Sequence, residues 1–198
     1  MAKNILVIAE LEEGRPTSLT VEMLGLANTL KDGGSVSAIV LGHQIDGLGD
    51  TLVAQGADHV FLGDGEAFAP YSADAWMPDV TKIAQDVNPD IILFAHTTIG
   101  WDLAPRLAFR LETGIATGCE AVVCDGDKVL MTRACYGGKA REKISLSTSP
   151  AIATVKSKTQ EAFKEDAARS GDVTAIESVC SPDQVRTRIT SQNREQEE

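Results

Sequence analysis

Apolar runs and helical stripes alternate along the amino-terminal half of the chain. Residues 5–9 form a continuous apolar run, which is typical of a parallel strand buried on both faces. Residues 16–18 then begin a segment whose apolar positions have the spacing of a helix, at Met23, Leu26, Ala27 and Leu30. Because the Asp-Gly-Gly sequence at 32–34 is typical of a helix end, the pattern predicts a first strand–helix unit that stops there.

Three more strand–helix units follow the first. Short apolar runs predict strands at 36–41, 59–62 and 91–95. The helices after these strands are predicted from apolar residues on one helical face: Ile45, Leu48 and Leu52 up to Gly56; Trp76, Val80, Ile83, Ala84 and Val87 up to Asn88 and Pro89; and Leu103, Ala104, Leu107, Ala108 and Leu111 in a helix over 102–111. Four such units in series predict an α/β fold with a doubly wound, mainly parallel sheet, Rossmann-like or nucleotide α-hydrolase-like.

The pattern changes after Gly118. The apolar residues 121–124, the turn sequence at 125–127 and a return strand over 128–133 predict an added antiparallel hairpin. Further strands are predicted at 144–147, 151–155 and 174–179, with a loop over 157–172 that could contain a helix at 161–169. We expect one α/β domain over 4–180 and a polar, partly disordered tail over 181–198, because no apolar residue follows position 190.

Composition narrows the possible functions. The chain has 198 residues, 43% of them hydrophobic, enough to bury one core, and a formal charge of −11 that argues against a nucleic-acid partner. The acidity favours solubility, or a partner with a basic surface. No apolar run approaches the roughly 18 residues of a membrane span, and the amino terminus does not resemble a signal peptide. Four irregularly spaced cysteines predict reduced thiols in a cytoplasmic protein.

No catalytic or metal site is predicted. The three histidines, His43, His59 and His96, have no metal-ligand spacing to another histidine, cysteine or carboxylate. His96 follows the strand at 91–95, where α/β sheets bind ligands, but a general base needs a neighbouring nucleophile or carboxylate. Asp102 could be that carboxylate, although it more simply caps its own helix.

Nucleotide binding is a stronger alternative. Glycines follow two of the predicted strands, Gly42 with Gly47 and Gly49 in one place and Gly100 in the other, and free N–H groups at a helix start can hold phosphate. However, the chain has neither G-x-G-x-x-G after the first strand nor a Walker sequence. The first strand–helix turn, residues 9–15, is acidic and would repel a pyrophosphate.

A basic cluster stands out in this acidic chain: Arg133, Lys139, Arg141 and Lys143, interrupted by Glu142. It is either a solvated hairpin edge, where lysines discourage aggregation, or a contact for a partner subunit or a flavin phosphate. Tyr136, Gly137 and Gly138 favour the contact, because glycines permit close backbone approach and tyrosine offers a flat amphipathic surface.

Several motifs, in this order, resemble the amino-terminal domain of the electron transfer flavoprotein α subunit. They are the strand over 5–10, the Asp-Leu-Ala-Pro-Arg-Leu-Ala run at 102–108, Thr113 and Gly114, Arg133 with the Tyr-Gly-Gly of 136–138, and the strand over 151–155. The resemblance covers nearly the whole chain, and the flavin-binding second domain of the family is absent. The family often has proline after the hairpin arginine, where this chain has Ala134.

The resemblance implies an electron carrier rather than an enzyme. The assembled protein would accept electrons from acyl-CoA-type dehydrogenases, as in fatty acid oxidation, and pass them on through FAD. This chain would be a scaffold that docks on a β subunit in a heterodimer, with FAD held mostly by parts absent from it and none bound by the chain alone. The residues expected to face the cofactor or the partner are Arg133, Tyr136, Gly137, Gly138, Lys139, His96 and Gly100.

Two alternatives remain open. The fold pattern also resembles the universal-stress-type group, whose members bind AMP or ATP, so that Gly42, Gly100 and His96 would line the pocket of a nucleotide-binding regulatory module. A hydrolase that uses His96 is the third interpretation. Partner dependence separates the flavoprotein interpretation from the stress-type one. A flavoprotein fragment should associate with a β subunit, whereas a stress-type module should bind adenine nucleotide by itself.

Overall fold

The computed structural model describes residues 2–181, 183, 185–187 and 189–191. The polar tail predicted over 181–198 lies largely outside the described residues, so its partial disorder stays a prediction. No helix in the described part of the chain is long and apolar enough to cross a membrane.

The elements alternate as the sequence predicts. The strands are β1 Ile5–Ile8, β2 Leu11–Glu12, β3 Arg15–Pro16, β4 Val36–Gly42, β5 His59–Asp64, β6 Ile91–Ala95, β7 Ile115–Asp125, β8 Lys128–Cys135, β9 Ala140–Ile144, β10 Ala151–Val155 and β11 Asp172–Ala175. The helices are α1 Ser18–Leu30, α2 Leu48–Ala54, α3 Ala73–Val87 and α4 Thr98–Arg110.

Nine strands form one sheet in the order β11-β5-β4-β1-β6-β10-β7-β8-β9, and β2 and β3 form a separate two-stranded sheet. The pairs from β11 to β7 are parallel, and β8 and β9 are antiparallel. The chain moves outward from β1 through β4 to β5, and α3 then returns it to β6 on the other side of β1. The α/β fold and the mainly parallel sheet are therefore confirmed, and the strand order reverses between β1 and β6.

Two apolar clusters lie on opposite faces of the sheet. Successive residues of β1 alternate between them, because side chains of a strand point to opposite faces. Ile5 and Val7 join the cluster that contains residues of α1 and α2, whereas Leu6 and Ile8 join the cluster that contains residues of α3 and α4. Covering helices on both faces explain why the central strands read as continuous apolar runs.

The fourth helix begins earlier than the sequence indicates. It starts at Thr98, not Asp102, because the hydroxyl of Thr97 accepts the Gly100 N–H at 3.1 Å and so caps the helix. The prediction that Asp102 caps its helix is therefore wrong. Its carboxylate instead accepts hydrogen bonds from Arg106 Nε at 2.8 Å and from the Tyr71 hydroxyl at 3.1 Å.

Three predictions in the last third of the chain are also wrong in detail. The strand placed at 144–147 ends at Ile144 and begins at Ala140, and the last strand is Asp172–Ala175 rather than 174–179. No helix forms over 161–169, because this segment bonds to carbonyls of α1 and α2: Phe163 N donates to Val21 O and Asp166 N to Ala54 O. It passes so close to α1 that a Cβ on Gly25 would lie 2.1 Å from Glu161 O.

Candidate functional site

A buried carboxylate lies where β1 and β6 end side by side. The Thr97 hydroxyl donates to Glu10 Oε1 at 2.7 Å, and Glu10 is only 5% exposed. Burial raises the pKa of the Glu10 carboxyl, and the bond from Thr97 opposes that rise in part. Doubly wound sheets bind their ligands in the crevice where the strand order reverses. In this protein the Glu10 side chain lies in that crevice.

The backbone of Glu10 is fixed from the start of α1. The Thr20 hydroxyl accepts the Glu10 N–H at 2.8 Å and donates to the Glu10 carbonyl at 2.9 Å. Thr17 N donates to the same carbonyl at 3.0 Å, and the Thr17 side chain caps α1. Every backbone polar group of Glu10 therefore has a partner, and the direction of its side chain follows from these bonds.

Two of the three residues from which a nucleotide pocket is predicted, Gly42 and Gly100, are packed against neighbouring residues. A Cβ on Gly42 would lie 2.9 Å from the Ile45 side chain and 3.3 Å from the Leu11 side chain, so those two residues cover it. Gly100 is buried, and a Cβ there would lie 1.9 Å from the carbonyl oxygen of Ala95. Both glycines therefore allow close packing, which gives no support to a pocket lined by them, and the nucleotide site stays a prediction.

The imidazole of His96 is held by two partners at one nitrogen. Nδ1 lies 2.8 Å from the Thr154 hydroxyl and 2.9 Å from Trp101 Nε1. Because an indole N–H can only donate, Nδ1 is the acceptor and the proton resides on Nε2. Burial, with a smaller effect from the nearby Lys156 charge, lowers the pKa of His96, so the ring is neutral at pH 7.

His96 and Asp102 do not form an acid–base pair. No hydrogen bond between them occurs among the described residues, because Nδ1 of His96 is shared by Trp101 and Thr154 and the Asp102 carboxylate by Arg106 and Tyr71. A general base needs an orienting carboxylate or a nucleophile within hydrogen-bond reach. The geometry therefore gives no support to hydrolysis by His96.

Arg133 lies at the same end of the sheet as His96. Its partner across the ladder is Cys119, which in turn pairs with Val155, and the Val155 carbonyl accepts the His96 N–H at 2.8 Å. Arg133 Nε donates to the Glu142 carboxylate. The structure thus places the predicted arginine on β8, which β7 separates from β10, the strand that bonds to His96.

Carboxylates offset much of the predicted basic cluster. Arg133 pairs with Glu142, and Arg141 Nε lies 2.9 Å from Glu120, whose other oxygen lies 3.4 Å from Lys156 Nζ. The two cationic partners lower the pKa of Glu120. Such exposed pairs contribute little to stability, so they leave the surface free to exchange partners.

Tyr136 is the most exposed aromatic residue of the predicted set. The β8–β9 ladder ends at the pair Cys135 and Ala140, and the turn over 136–139 (here the Tyr136 turn) connects the two strands. Tyr136, Gly137 and Gly138 have φ values of 52°, 66° and 85°, three successive left-handed residues. The Tyr136 side chain is 83% exposed at this turn.

An apolar stripe on α4 was missed by the sequence reasoning. Trp101 is 56% exposed and Phe109 83%, and exposed Pro105 lies between them on the same face of the helix. The predicted apolar face of this helix is the buried one. The signal was the spacing of four residues between Trp101, Pro105 and Phe109 on the side opposite to that face.

The described residues contain no group of three or more histidine, cysteine, aspartate or glutamate side chains that could hold a metal ion. All four cysteines are free thiols, and burial raises the pKa of Cys119 to about 11. A thiol with such a pKa is not a nucleophile at neutral pH.

The comparisons with known proteins agree with the motifs. A family model described as "Electron transfer flavoprotein domain" matches residues 5–179. The chain belongs to the electron transfer flavoprotein family. It is 32% identical over 178 residues to the electron transfer flavoprotein subunit alpha of Bacillus subtilis, covering 89% of this chain and 54% of that protein. The corresponding subunit of Thermoanaerobacterium thermosaccharolyticum is 31% identical over 193 residues, with 96% and 58% covered.

The resemblance to the amino-terminal domain of the α subunit is thereby confirmed. The chain spans about half the length of these electron transfer flavoprotein subunits. A third relative, the acryloyl-CoA reductase electron transfer subunit beta of Anaerotignum propionicum, is 31% identical over 128 residues, which are 64% of this chain and 35% of that protein.

The electron transfer flavoprotein family implies a flavin, and the crevice at the reversal point does not fit one. The turn after β1 carries Glu10, Glu12 and Glu13, which repel a pyrophosphate. Glu10 fills the space beside β6, and Leu11 with Ile45 fills the space at Gly42.

Proposed function

We propose that this chain is the amino-terminal module of an electron transfer flavoprotein α subunit and that it docks a β subunit. The assembled protein carries electrons through FAD from an acyl-CoA-type dehydrogenase. Membership of the family supports the electron transfer role. The name of the Anaerotignum propionicum relative supports a partner enzyme that acts on a CoA thioester.

The module acts as a scaffold and not as a catalyst. The isoalloxazine ring of FAD carries electrons without covalent chemistry by the protein, so a carrier needs no nucleophile or general base. Residues outside this chain hold the flavin, which agrees with the acidic and filled crevice beside β1. Four free thiols fit an assembly in the cytoplasm.

The observation that carries the docking proposal is the exposure of Tyr136. A tyrosine that is 83% exposed on a tight turn contributes large contact area at little cost in side-chain entropy. Gly137 and Gly138 let a partner backbone approach the turn, and Arg133 and Lys139 flank it with positive charge. The Tyr136 turn is therefore the proposed centre of the contact with the β subunit.

His96 and Gly100 contribute to this partner surface through Trp101. Gly100 lets the first turn of α4 pack directly on the end of β6, and His96 holds the exposed indole by a hydrogen bond. A side chain that is already ordered loses less entropy when a partner binds. These two residues thus position an aromatic contact rather than make it.

The test measures association of this chain with a β subunit of the family in the presence of FAD. Calorimetry gives the affinity, and the absorbance of the isolated complex gives its flavin content. Tyr136→Ala should weaken association by at least about tenfold, the effect of losing a moderate interface anchor. The matched control is Val123→Ala, a truncation of another exposed apolar side chain on the strand that precedes β8. Equal affinities for the wild type and Tyr136→Ala would contradict the proposed contact, and no complex at all would contradict the proposed function.

A further inference from the structure

The exposed face of α4 has an apolar side and a charged side. Successive residues of an α-helix are rotated by about 100° about its axis. Trp101, Pro105 and Phe109 therefore lie within about 80° of one another and form the apolar side. The charged side borders it along one edge and consists of three residues with ionised side chains: Asp102, Arg106 and Arg110.

The exposed aromatic area on α4 marks an interaction surface. Phe109 is 83% exposed and Trp101 56%, and the two lie about two turns apart on the same face. Large apolar side chains that line up on a surface are typical of interfaces, whereas single scattered ones are ordinary. A partner that covers this face must match the order of apolar and charged residues along it.

The apolar side of α4 is complementary to itself when two copies of the helix pack antiparallel. In a twofold pair centred on Pro105, Trp101 of one copy lies opposite Phe109 of the other, because each is four residues from the centre. The two apolar stripes then face each other along their whole length, as in ordinary helix–helix packing.

The charges match in the same arrangement. The twofold axis of an antiparallel pair places both charged sides along the same edge of the contact. Asp102 of one copy is then level with the gap between Arg106 and Arg110 of the second copy, two residues or about 3 Å along the axis from each. Opposite charges thus meet at both ends of the pair, which favours this register.

We propose that two copies of this chain form a twofold dimer in which the exposed faces of α4 pack antiparallel. The occupant of this face is a second copy because both its apolar and its charged residues find their complements there. Trp101 also belongs to the partner surface proposed above, so the inference concerns the chain in the absence of a β subunit.

The dimer is a weak one. The 13 residues of α4 span only about 20 Å, so a pair of these helices buries less than the roughly 1,200 Å² of a typical stable interface. We therefore expect a dissociation constant on the order of 10⁻⁵ to 10⁻⁴ M.

Sedimentation equilibrium of the purified chain between about 10 μM and 1 mM, without β subunit or FAD, measures the dimer. Phe109→Glu places a carboxylate in the apolar contact and should weaken self-association at least about tenfold. The matched control is Val123→Glu, the same change at a residue of β7 that is 50% exposed, and it should leave the affinity unchanged. Circular dichroism shows whether each variant is folded.

A charge exchange tests the antiparallel register. Arg110→Glu places a carboxylate beside Asp102 of the second copy, and Asp102→Arg places a guanidinium beside Arg110, so each variant alone should dimerise at least about threefold more weakly than the wild type. A mixture of the two variants restores opposite charges at both ends of the pair. It should form a mixed dimer at least about threefold more tightly than either variant dimerises alone.

A wild-type dimer that Phe109→Glu weakens and Val123→Glu does not, with recovery in the mixture, supports the proposal. Four results overturn it: a wild type that stays monomeric up to about 1 mM, wild-type affinity in Phe109→Glu, an equal loss in Val123→Glu, or no recovery in the mixture. Because no β subunit is present in these measurements, such a result leaves the proposed docking to a β subunit unaffected.

Discussion

The indole N–H of Trp101 donates to Nδ1 of His96 at 2.9 Å, and the two rings meet edge to face with centroids 5.1 Å apart. The bond fixes the neutral tautomer of His96 with its proton on Nε2. It also holds a tryptophan that is 56% exposed in one orientation. Protonation of His96 would put a proton on Nδ1 that points at the indole N–H. It would therefore break the hydrogen bond that orders Trp101.

Trp101→Phe should raise the pKa of His96. The substitution removes the donor that competes with a proton at Nδ1, and the smaller ring covers the imidazole less, which weakens the burial that now lowers the pKa. Titration of the histidine ring signals by NMR measures the change. Trp76→Phe is the control, because the Trp76 indole donates to the Phe68 carbonyl and not to a histidine. An unchanged or lower pKa in Trp101→Phe would show that the indole bond does not govern the titration.

Glu10→Gln should make stability less dependent on pH. Burial raises the pKa of Glu10 in the folded protein, so the folded state holds this proton more tightly than the unfolded state. The free energy of unfolding therefore falls as pH rises from about 4.5 through the raised pKa, and it is highest below that window.

Glutamine cannot ionise, so Glu10→Gln should be stabilised relative to the wild type at about pH 7 and less so at about pH 4.5. Urea unfolding at the two pH values measures the difference. Glu12→Gln, an exposed change in the same turn, should alter stability by no more than about 0.5 kcal/mol at either pH. A stability difference between Glu10→Gln and the wild type that does not vary with pH would refute the assignment.

Gly100→Ala should destabilise the fold even though alanine favours helices. The helix propensity gain is about 1 kcal/mol, whereas a Cβ placed 1.9 Å from the Ala95 carbonyl forces the helix off the end of β6 at a cost of about 3 kcal/mol. The net loss is about 2 kcal/mol in the free energy of unfolding. Gly65→Ala is the control, because its Cβ would meet Phe68 at an ordinary 3.9 Å and its backbone is extended. Similar stabilities for the two variants would contradict this packing.

Asp79→Ala should release the segment that follows β11. The buried Asp79 carboxylate in α3 accepts the Val179 N–H and the Ser178 hydroxyl, each at 2.9 Å. Losing both bonds costs about 1 to 3 kcal/mol of local stability, so trypsin should cleave after Arg186 about fivefold faster or more. Asp86→Ala removes an exposed carboxylate from the same helix and should leave cleavage unchanged. Equal rates for the two variants would show that Asp79 does not anchor this segment.

The sequence alone determined the order of strands and helices, the hairpin and the family. Continuous apolar runs such as Ile5–Ile8 predict strands that are covered on both faces, and each of the four helices follows its strand in the predicted order. The strands and helices follow from local periodicity, that is, from the spacing of apolar residues within each segment. The family was identified differently, from the resemblance of several motifs, in order, to the electron transfer flavoprotein α subunit, which the family model confirms.

The tertiary structure decided what depends on residues far apart in the chain. Glu10 and Thr97 are separated by 87 positions and His96 and Thr154 by 58, so no local pattern could show the buried carboxylate or the tautomer of His96. The segment over 161–169 could contain a helix by its sequence, yet its Phe163 and Asp166 N–H groups bond to the carbonyls of Val21 and Ala54 in other elements. Burial and hydrogen-bond partners are properties of the packed sheet, and they exist only once its strands are in register.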